Sequence, residues 1–460
     1  MKKVVFINPN YASHQSAIDR YHLSVQRYPP LGLAYLAAFL RKNGFKVEII
    51  DAAVLDLTDE VVVKILKRKK PYLIGLYVVS FSLPAIYSLI RKIKSQTNCL
   101  VMVGGPHITH QPQSVFKLGA DYGIAGEGEL ALVDFLKSKN KKQIAGLIYK
   151  DQKNWRINRP QLIKDLDILP FPARDLLPND RYYSPLFGGK TTTMVTSRGC
   201  VYNCIFCGLP TGRVYRKRSV KNIIQELEKL IKDSFQYLEI QDDFFTFDHQ
   251  KVKEICRFLI ERKTNLRWGC ETRADFVDEK ILSLMKKAGC YNVNFGVEAG
   301  SERVRNKIIG KNLSSRAILK AVKAAKKVGL KTVAYFIFGH PTETLVEMKK
   351  TLKFARELKP NYAEFHLSIP IPGSRLFTIA CREKKIEEDI WDKVIFGKEI
   401  PIYIPDNIKL EQMIHLQKKA YSRFYFSLPK LIENIKDVRS LKDFRLKLQA
   451  GLMILRNRSL

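Results

Sequence analysis

Short apolar runs alternate with amphipathic stretches along most of the chain, and their order predicts an architecture before any single residue does. In the first 140 residues, Lys-Val-Val-Phe-Ile (3–7) runs into Asn8-Pro9-Asn10, and further strands are predicted over 46–50, 73–79, 100–103 and 122–124. Helices are predicted between them, over 33–42, 61–68 and 84–95. Continuous β-rich runs separated by helices imply βα units and a parallel sheet covered on both faces. Sheets of that kind bind ligands in the crevice beyond the C-terminal ends of their strands. Here those ends carry Asp51, Ser80-Phe81-Ser82, Gly104-Gly105-Pro106 and Gly126-Glu127-Gly128-Glu129.

The alternation stops over 143–187, where a predicted hairpin (144–157) precedes Leu169-Pro170-Phe171-Pro172 and Leu177-Pro178-Asn179-Asp180. It resumes with strands predicted over 191–196, 236–241, 266–271, 291–297, 332–338 and 362–368, and helices over 220–232, 250–262, 279–288, 314–328 and 346–358. Six βα units suit a partial barrel better than a second open sheet. Residues 385–460 lose the rhythm. From Lys409 to Leu460 there are 12 Lys/Arg against 4 Asp/Glu, with Phe424, Tyr425, Phe426 and Leu428 interleaved, which predicts a basic helical cap on the barrel. The expected division is therefore α/β: a parallel-sheet domain (1–142), a connector (143–187), a partial barrel (188–384) and a helical basic C-terminal region (385–460). One segment, 71–90, has no charge and is long enough to span a bilayer. Gly75, Ser80, Ser82 and Pro84 interrupt it, so a strand, a loop and a helix are predicted there instead.

Composition adds compartment and partners. At 460 residues the chain holds roughly three domains of about 150, and 46% hydrophobic with 27% charged residues excludes a disordered chain. The formal charge of +34 suits an anionic partner or membrane surface, and equally a set of solvated helix faces. Met1-Lys2-Lys3 passes directly into Val-Val-Phe-Ile-Asn-Pro, which is no signal peptide. A reducing cytoplasm is expected, where clustered cysteines hold metal more often than one another.

Three of the eight cysteines are clustered: Cys200-Val-Tyr-Asn-Cys204-Ile-Phe-Cys207, after a predicted strand and Arg198-Gly199. The next are Cys256 and Cys270, and no histidine lies between Cys200 and His249, so a closed four-ligand zinc site is disfavoured. Three ligands leave one metal position open, as a catalytic site requires. The other five, Cys99, Cys256, Cys270, Cys290 and Cys381, are dispersed and are expected to be small buried hydrophobes.

The Cys-x3-Cys-x2-Cys spacing, with Phe206 before the last cysteine and at the end of the first barrel strand, resembles the radical S-adenosylmethionine superfamily. The resemblance covers about 188–380. It implies that Cys200, Cys204 and Cys207 hold a 4Fe–4S cluster whose open iron chelates S-adenosylmethionine, with the backbone near Phe206 beside the adenine. Further strand ends match more loosely: Gln241-Asp242-Asp243-Phe244-Phe245, Glu271 with Arg273, Gly296-Val297-Glu298-Ala299-Gly300-Ser301, and Gly339-His340-Pro341-Thr342-Glu343-Thr344. Of these, Asp242, Arg273 and Glu298 are the implied S-adenosylmethionine contacts. In the last turn Thr342 replaces the family's more usual second glycine.

The front domain resembles the cobalamin-binding, Rossmann-like domain that precedes many such barrels. The resemblance rests on Tyr28-Pro29-Pro30-Leu31-Gly32-Leu33, Asp51, Ser80-Phe81-Ser82, Gly104-Gly105-Pro106-His107 and Gly126-Glu127-Gly128-Glu129, in that order. It implies that Gly32, Ser80, Ser82, Gly104, Gly105, His107, Gly126 and Glu127 line the cobalamin site, since glycines admit a flat ligand and small hydroxyls line a channel for its tail. None of the eight histidines has Asp two positions earlier, so the Asp-x-His-x-x-Gly marker of a histidine-ligated cobalt is missing.

Together the resemblances imply a cobalamin-dependent radical enzyme. It is expected to transfer a methyl group to an unactivated carbon of a small-molecule or lipid-like substrate, with ring formation or other carbon-skeleton chemistry as the alternative. An electron donor such as flavodoxin or ferredoxin is implied. The basic aromatic C-terminal part suggests peripheral association with the inner membrane surface. A tRNA-modifying protein is the rival from another class. The charge supports it, but no RNA-binding module is legible, and the front domain has only Cys99 where methylthio-transferring tRNA enzymes carry three cysteines.

Overall fold

The computed structural model describes residues 2–11, 28–184 and 189–436; the basic run beyond Lys436 lies outside the described residues. Strands β1 (Lys3–Asn8), β2 (Lys46–Asp51), β3 (Leu73–Tyr77), β4 (Leu100–Gly104) and β5 (Tyr122–Ile124) form a parallel sheet in the order β2-β1-β3-β4-β5. Val5, Ile7, Ile74, Leu76, Val101 and Val103 pack on one face, against helices Asp59–Lys69 and Leu83–Gln96. Val4, Phe6, Leu73 and Met102 pack on the other, against helices Leu31–Lys42 and Gly128–Leu136. Both faces are thus apolar, which is why these strands lack in/out alternation. The uncharged 71–90 segment is the strand, turn and helix that its interruptions predict. No described helix is long and apolar enough to cross a membrane.

The hairpin expected within the connector joins this sheet. Strands β6 (Leu147–Asp151) and β7 (Asn154–Ile157) add antiparallel to β5 and extend the sheet to seven strands. The pairing depends on Ile148 lying opposite Gly123, a long-range choice that local pattern does not encode.

The second sheet is the expected partial barrel. Strands β8 (Thr191–Met194), β11 (Tyr237–Ile240), β12 (Arg267–Thr272), β13 (Cys290–Glu298), β14 (Lys331–Phe338) and β15 (Tyr362–Leu367) are parallel and follow one another in chain order. A two-residue ribbon, β9 (Ser197–Arg198) with β10 (Arg216–Lys217), stands just beyond β8. Leu238, Ile240, Trp268, Cys270, Val293, Phe295, Phe336 and Phe365 face the surrounding helices in one large core, which also contains Cys256 and Cys290. Cys99 and Cys381 are only half-buried.

The C-terminal region does two jobs. Helix Leu410–Tyr425 lies along the edge strand β15 and satisfies its backbone. Tyr421 Oη accepts from Phe365 N (3.1 Å), Tyr425 Oη from Ala363 N (3.0 Å), and Gln417 Nε2 donates to Phe365 O (2.7 Å). An edge that would otherwise offer free pairing groups is closed. Helix Ile390–Ile395 instead returns to the front domain. There Trp391 packs edge-on against Phe81 and His107, and Asp392 accepts from Lys117 Nζ at 2.7 Å.

Candidate functional site

The three cysteines occupy one loop, residues 199–215, which leaves the barrel through β9 and returns through β10. Arg198 pairs with Arg216 and Ser197 with Lys217 at its base. Gly199 makes the exit possible: its φ is +90°, and a Cβ there would lie 2.2 Å from the Val214 carbonyl oxygen. Asp243, beyond the end of β11, accepts from Gly199 N (2.9 Å) and Thr211 Oγ1 (3.0 Å), tying the start of the loop to its end. Midway, Ile205 N donates to Ile309 O (3.0 Å), and Ile205 O accepts from Leu376 N (2.7 Å). From the front domain, His110 Nε2 donates to the carbonyl of Gly208 at 2.6 Å, one residue past Cys207.

These thiols suit an iron cluster. Burial pushes all three above their ordinary range, Cys207 to about 11. Cys204 rises further beside Cys200, and Cys207 beside Cys204. Thiols that oppose one another's ionisation become ligands when cations compensate the charge. Lys311, Arg273 and Arg213 add positive charge around them. Among the described residues, no three His, Cys, Asp or Glu side chains close on a single ion.

The strand-end residues fall into place around this loop, with one reassignment. Asp242 is buried, and both of its oxygens are committed. Oδ1 accepts from Thr196 N (2.5 Å) and Ser197 N (3.1 Å), and Oδ2 from Ser197 Oγ (2.6 Å), Thr196 Oγ1 and Lys251 Nζ (3.2 Å). It therefore shapes the strand end that launches the loop and presents no oxygen to a ligand; its neighbour Asp243 faces the loop instead. Arg273 is held by Asp275 (2.8 Å) and stacks 3.8 Å over the Tyr202 ring, inside the cysteine loop. Glu298, at φ +65°, accepts from Lys311 Nζ at 2.5 Å. The half-buried Phe206 ring tilts against His340 at 6.2 Å.

A cleft of about 160 Å³ opens beyond the front sheet, lined by Gly32, Gly75, Gly104, Gly105, Gly126, Glu127, Glu129, Met102 and the barrel's Arg198. It is smaller than the ~300–1,000 Å³ pockets that enclose whole ligands, and has room for an arm of a larger one. Gly105 (φ +110°) leaves no space for a Cβ, which would meet Val78 O at 2.8 Å. Five of the eight residues expected here line the cleft: Gly32, Gly104, Gly105, Gly126 and Glu127. Ser80, Ser82 and His107 stand outside its lining. Ser82 Oγ closes its own turn onto Val79 O (2.8 Å). His107 is buried, with Nδ1 on Ser80 Oγ (2.9 Å) and Nε2 on Ser114 Oγ (3.1 Å). Burial lowers it to about 4, so it serves as a neutral, satisfied spacer beneath Trp391. Glu127 joins cleft and loop. It accepts from Arg198 Nη1 (2.7 Å), Arg216 Nη1 (2.8 Å) and Ile163 N (2.6 Å). Burial alone would raise this carboxyl, but the two arginines hold it below the ordinary range.

Comparison with known proteins decides the family. The model of the radical SAM superfamily matches residues 194–355, and that of the B12 binding domain matches 23–136. An uncharacterized methyltransferase of Pyrococcus horikoshii is 35% identical over 91% of this chain and 92% of its own length. The chain belongs to the cobalamin-dependent radical S-adenosylmethionine enzymes. Its cofactors are those of that family: a 4Fe–4S cluster, S-adenosylmethionine and cobalamin. The anaerobic magnesium-protoporphyrin IX monomethyl ester cyclase of Rubrivivax gelatinosus is also similar, at 28% identity over 92% of this chain and 78% of that one. In fold, the radical S-adenosylmethionine methyltransferase TsrM of Kitasatospora setae superposes over the whole of both chains, with a TM-score of 0.76 at 17% identity.

Several roles in this site escape a reading of the sequence, although Arg198, Glu129 and Glu271 stand in the motifs it singles out. Arg198, Arg216, Glu129 and His110 act across the domain boundary, where no local spacing points. The barrel lumen is the larger omission. Tyr237 Oη donates to Glu239 (2.5 Å) and lies 2.7 Å from Asn292 Oδ1; Tyr335 Oη donates to Glu271 (3.3 Å); Glu364 pairs with His366 (3.2 Å). Burial, then Glu271, pushes Glu239 up to about 8. Polar residues at every second position of otherwise buried strands, as in Tyr237-Leu-Glu-Ile, are the signal that marks this lumen.

Proposed function

We propose that this enzyme transfers a methyl group to an unactivated carbon of a small polar substrate held in the barrel lumen. When bound, the cluster with S-adenosylmethionine supplies a carbon-centred radical oxidant, and the corrinoid supplies the methyl group. The chain's own residues position these groups and exclude water. The 199–215 loop presents three thiolates at the barrel mouth, and Asp243 and Asp242 fix its base. Arg273 and the Glu298–Lys311 pair border it, and the glycine cleft admits part of a flat ligand from the opposite side. Glu239, Glu271, Glu364 and the tyrosines beside them offer donors and acceptors to a substrate with amine or hydroxyl groups. That lining favours a polar small molecule over a lipid tail. The observation that carries the reading is Arg198, one side chain that walls the front cleft two residues before the first cluster cysteine.

Anaerobic purification with iron, sulfide and cobalt analysis tests it. About four irons and one corrinoid per chain are expected, with release of deoxyadenosine from S-adenosylmethionine under reduction. A protein without iron, or one that releases no deoxyadenosine, overturns it. Ring formation without net methylation is the second reading, favoured by the similar cyclase. Deuterium from methyl-labelled S-adenosylmethionine in the product separates the two.

A groove at the foot of the barrel is rimmed by basic side chains. Lys326, Lys349, Lys353, Arg356, Lys359, Lys419 and Arg423 surround this groove, floored by Leu352, Leu416 and Phe424, against two acidic residues, Glu357 and Glu433. This foot faces away from the cysteine loop, so it suits attachment to an anionic membrane surface and leaves electron entry from a flavodoxin or ferredoxin to the mouth. Release from membranes by high-salt washing is the expected result, since salt screens such contacts; an unchanged distribution counts against it.

A further inference from the structure

The base of the cysteine loop and the wall of the front cleft are built from the same ion pairs. Arg198 and Arg216 are cross-strand partners in the ribbon that opens and closes the loop. Both grip one front-domain carboxylate, Glu127, at 2.7 and 2.8 Å, and Arg198 reaches on to Glu129 at 2.7 Å. All four side chains are at most 13% exposed. Ion pairs so shielded from water are screened little by salt and respond to whatever fills the space beside them. Glu127, Glu129 and Arg198 also line the cleft, so a ligand lying there completes the desolvation of the clamp. Seventeen residues of loop lie between the two arginines, with three ligating positions among them.

We propose that Glu127, Arg198 and Arg216 form a clamp that couples the two cofactor sites, so that filling the front cleft orders the cysteine loop and a filled cysteine loop tightens the cleft. Glu127 is then a positioning residue shared by both sites, acting through the arginines and not on a reacting atom. The coupling needs no large movement. Whichever group binds first orders the clamp, and the second finds that ordering already done. By linkage the effect is reciprocal: the factor by which the cluster strengthens corrinoid binding equals the factor by which the corrinoid strengthens retention of the cluster. The inference rests on the cofactor set of the proposed function.

The test uses the full chain under anaerobic conditions, with hydroxocobalamin as the probe. Its Kd is measured with the cluster reconstituted and with the iron removed. A ratio of roughly tenfold or more is expected for the unaltered protein, within the usual 5–150-fold range of such coupling. In Glu127→Gln the ratio falls to within twofold of one. Hydrogen–deuterium exchange of residues 199–215 gives a second readout in the iron-free protein. It slows on adding hydroxocobalamin to the unaltered chain and does not change in Arg216→Lys, which keeps the charge but loses the forked grip. Arg216→Lys decides the matter if Glu127→Gln fails to fold. Equal Kd values with and without iron in the unaltered protein, or a full ratio retained in Glu127→Gln, overturn the clamp. Failure of the chain to bind either hydroxocobalamin or iron defeats the functional reading itself, which is a different result from binding both independently.

Discussion

The two parallel sheets use one alternation of strand and helix to opposite ends. The front sheet buries apolar side chains on both faces, and its ligand space comes from what is missing: Gly32, Gly75, Gly104, Gly105 and Gly126 withhold side chains along one rim. The barrel keeps its outer face apolar and fills its lumen with Tyr237, Glu239, Glu271, Asn292, Asn294, Tyr335 and Glu364. A doubly covered sheet has to make room at its edge, whereas an open barrel already encloses room and can spend side chains on specificity. The division of chemistry follows, with the front domain accommodating a large preformed group and the barrel selecting a small one.

Substitutions that attack one region and spare the other sharpen this contrast. The largest effect is expected at the cysteine loop. Cys204→Ala should reduce bound iron from about four per chain to near zero and abolish deoxyadenosine release, read by iron analysis and chromatography. Gly199→Ala should do nearly as much, because its Cβ has no place beside Val214 O. The front domain should break separately. Gly105→Ala introduces both a disfavoured φ and a clash with Val78 O, and should weaken hydroxocobalamin binding by more than tenfold, about 1.4 kcal/mol, while iron content reconstituted in the absence of corrinoid stays unchanged.

The lumen offers a pH test whose sign is fixed. Glu239 in the fold is raised from its ordinary 4.5 to about 8 by burial and by Glu271. Its neutral form is thus favoured, and its contribution to stability is complete below about pH 4.5 and lost as the pH rises through 8. Glu239→Gln should match the unaltered protein near pH 4.5 and exceed it near pH 8.5, by on the order of a few kcal/mol, in denaturant titrations at the two pH values. The smallest effect is expected at His107. Replacing it by Gln should lower stability by about 1–2 kcal/mol through its two buried hydrogen bonds and leave hydroxocobalamin affinity within twofold. A large loss of corrinoid would return His107 to the ligand site.

The same contrast explains what the sequence discloses. Helix 220–232 and strand 122–124 fall where periodicity puts them, because local pattern and packing agree there. The cysteine loop is legible because all its ligands lie within eight residues, and Gly104, Gly105 and Gly126 because they sit at or just beyond strand ends. What is not legible lies between regions. Ser80 and His107 satisfy the same sequence pattern as the cleft glycines, yet they turn towards each other and Ser114. Trp391, 284 residues beyond His107, packs edge-on against the same ring. Asp242 and Asp243 are neighbours of one residue type, and the turn that follows β11 ties one into the strand end and aims the other at the loop. Arg198 and Glu127 are 71 residues apart, and their pairing follows from domain docking that no spacing records.

One spectrum tests the centre of this account most directly. The reduced, anaerobically reconstituted protein should give the paramagnetic signal of a single 4Fe–4S cluster, and adding S-adenosylmethionine should change its line shape, because an iron not held by Cys200, Cys204 or Cys207 accepts the new ligand. A signal that is missing, or one that S-adenosylmethionine leaves unaltered, would contradict a three-cysteine cluster with an open iron.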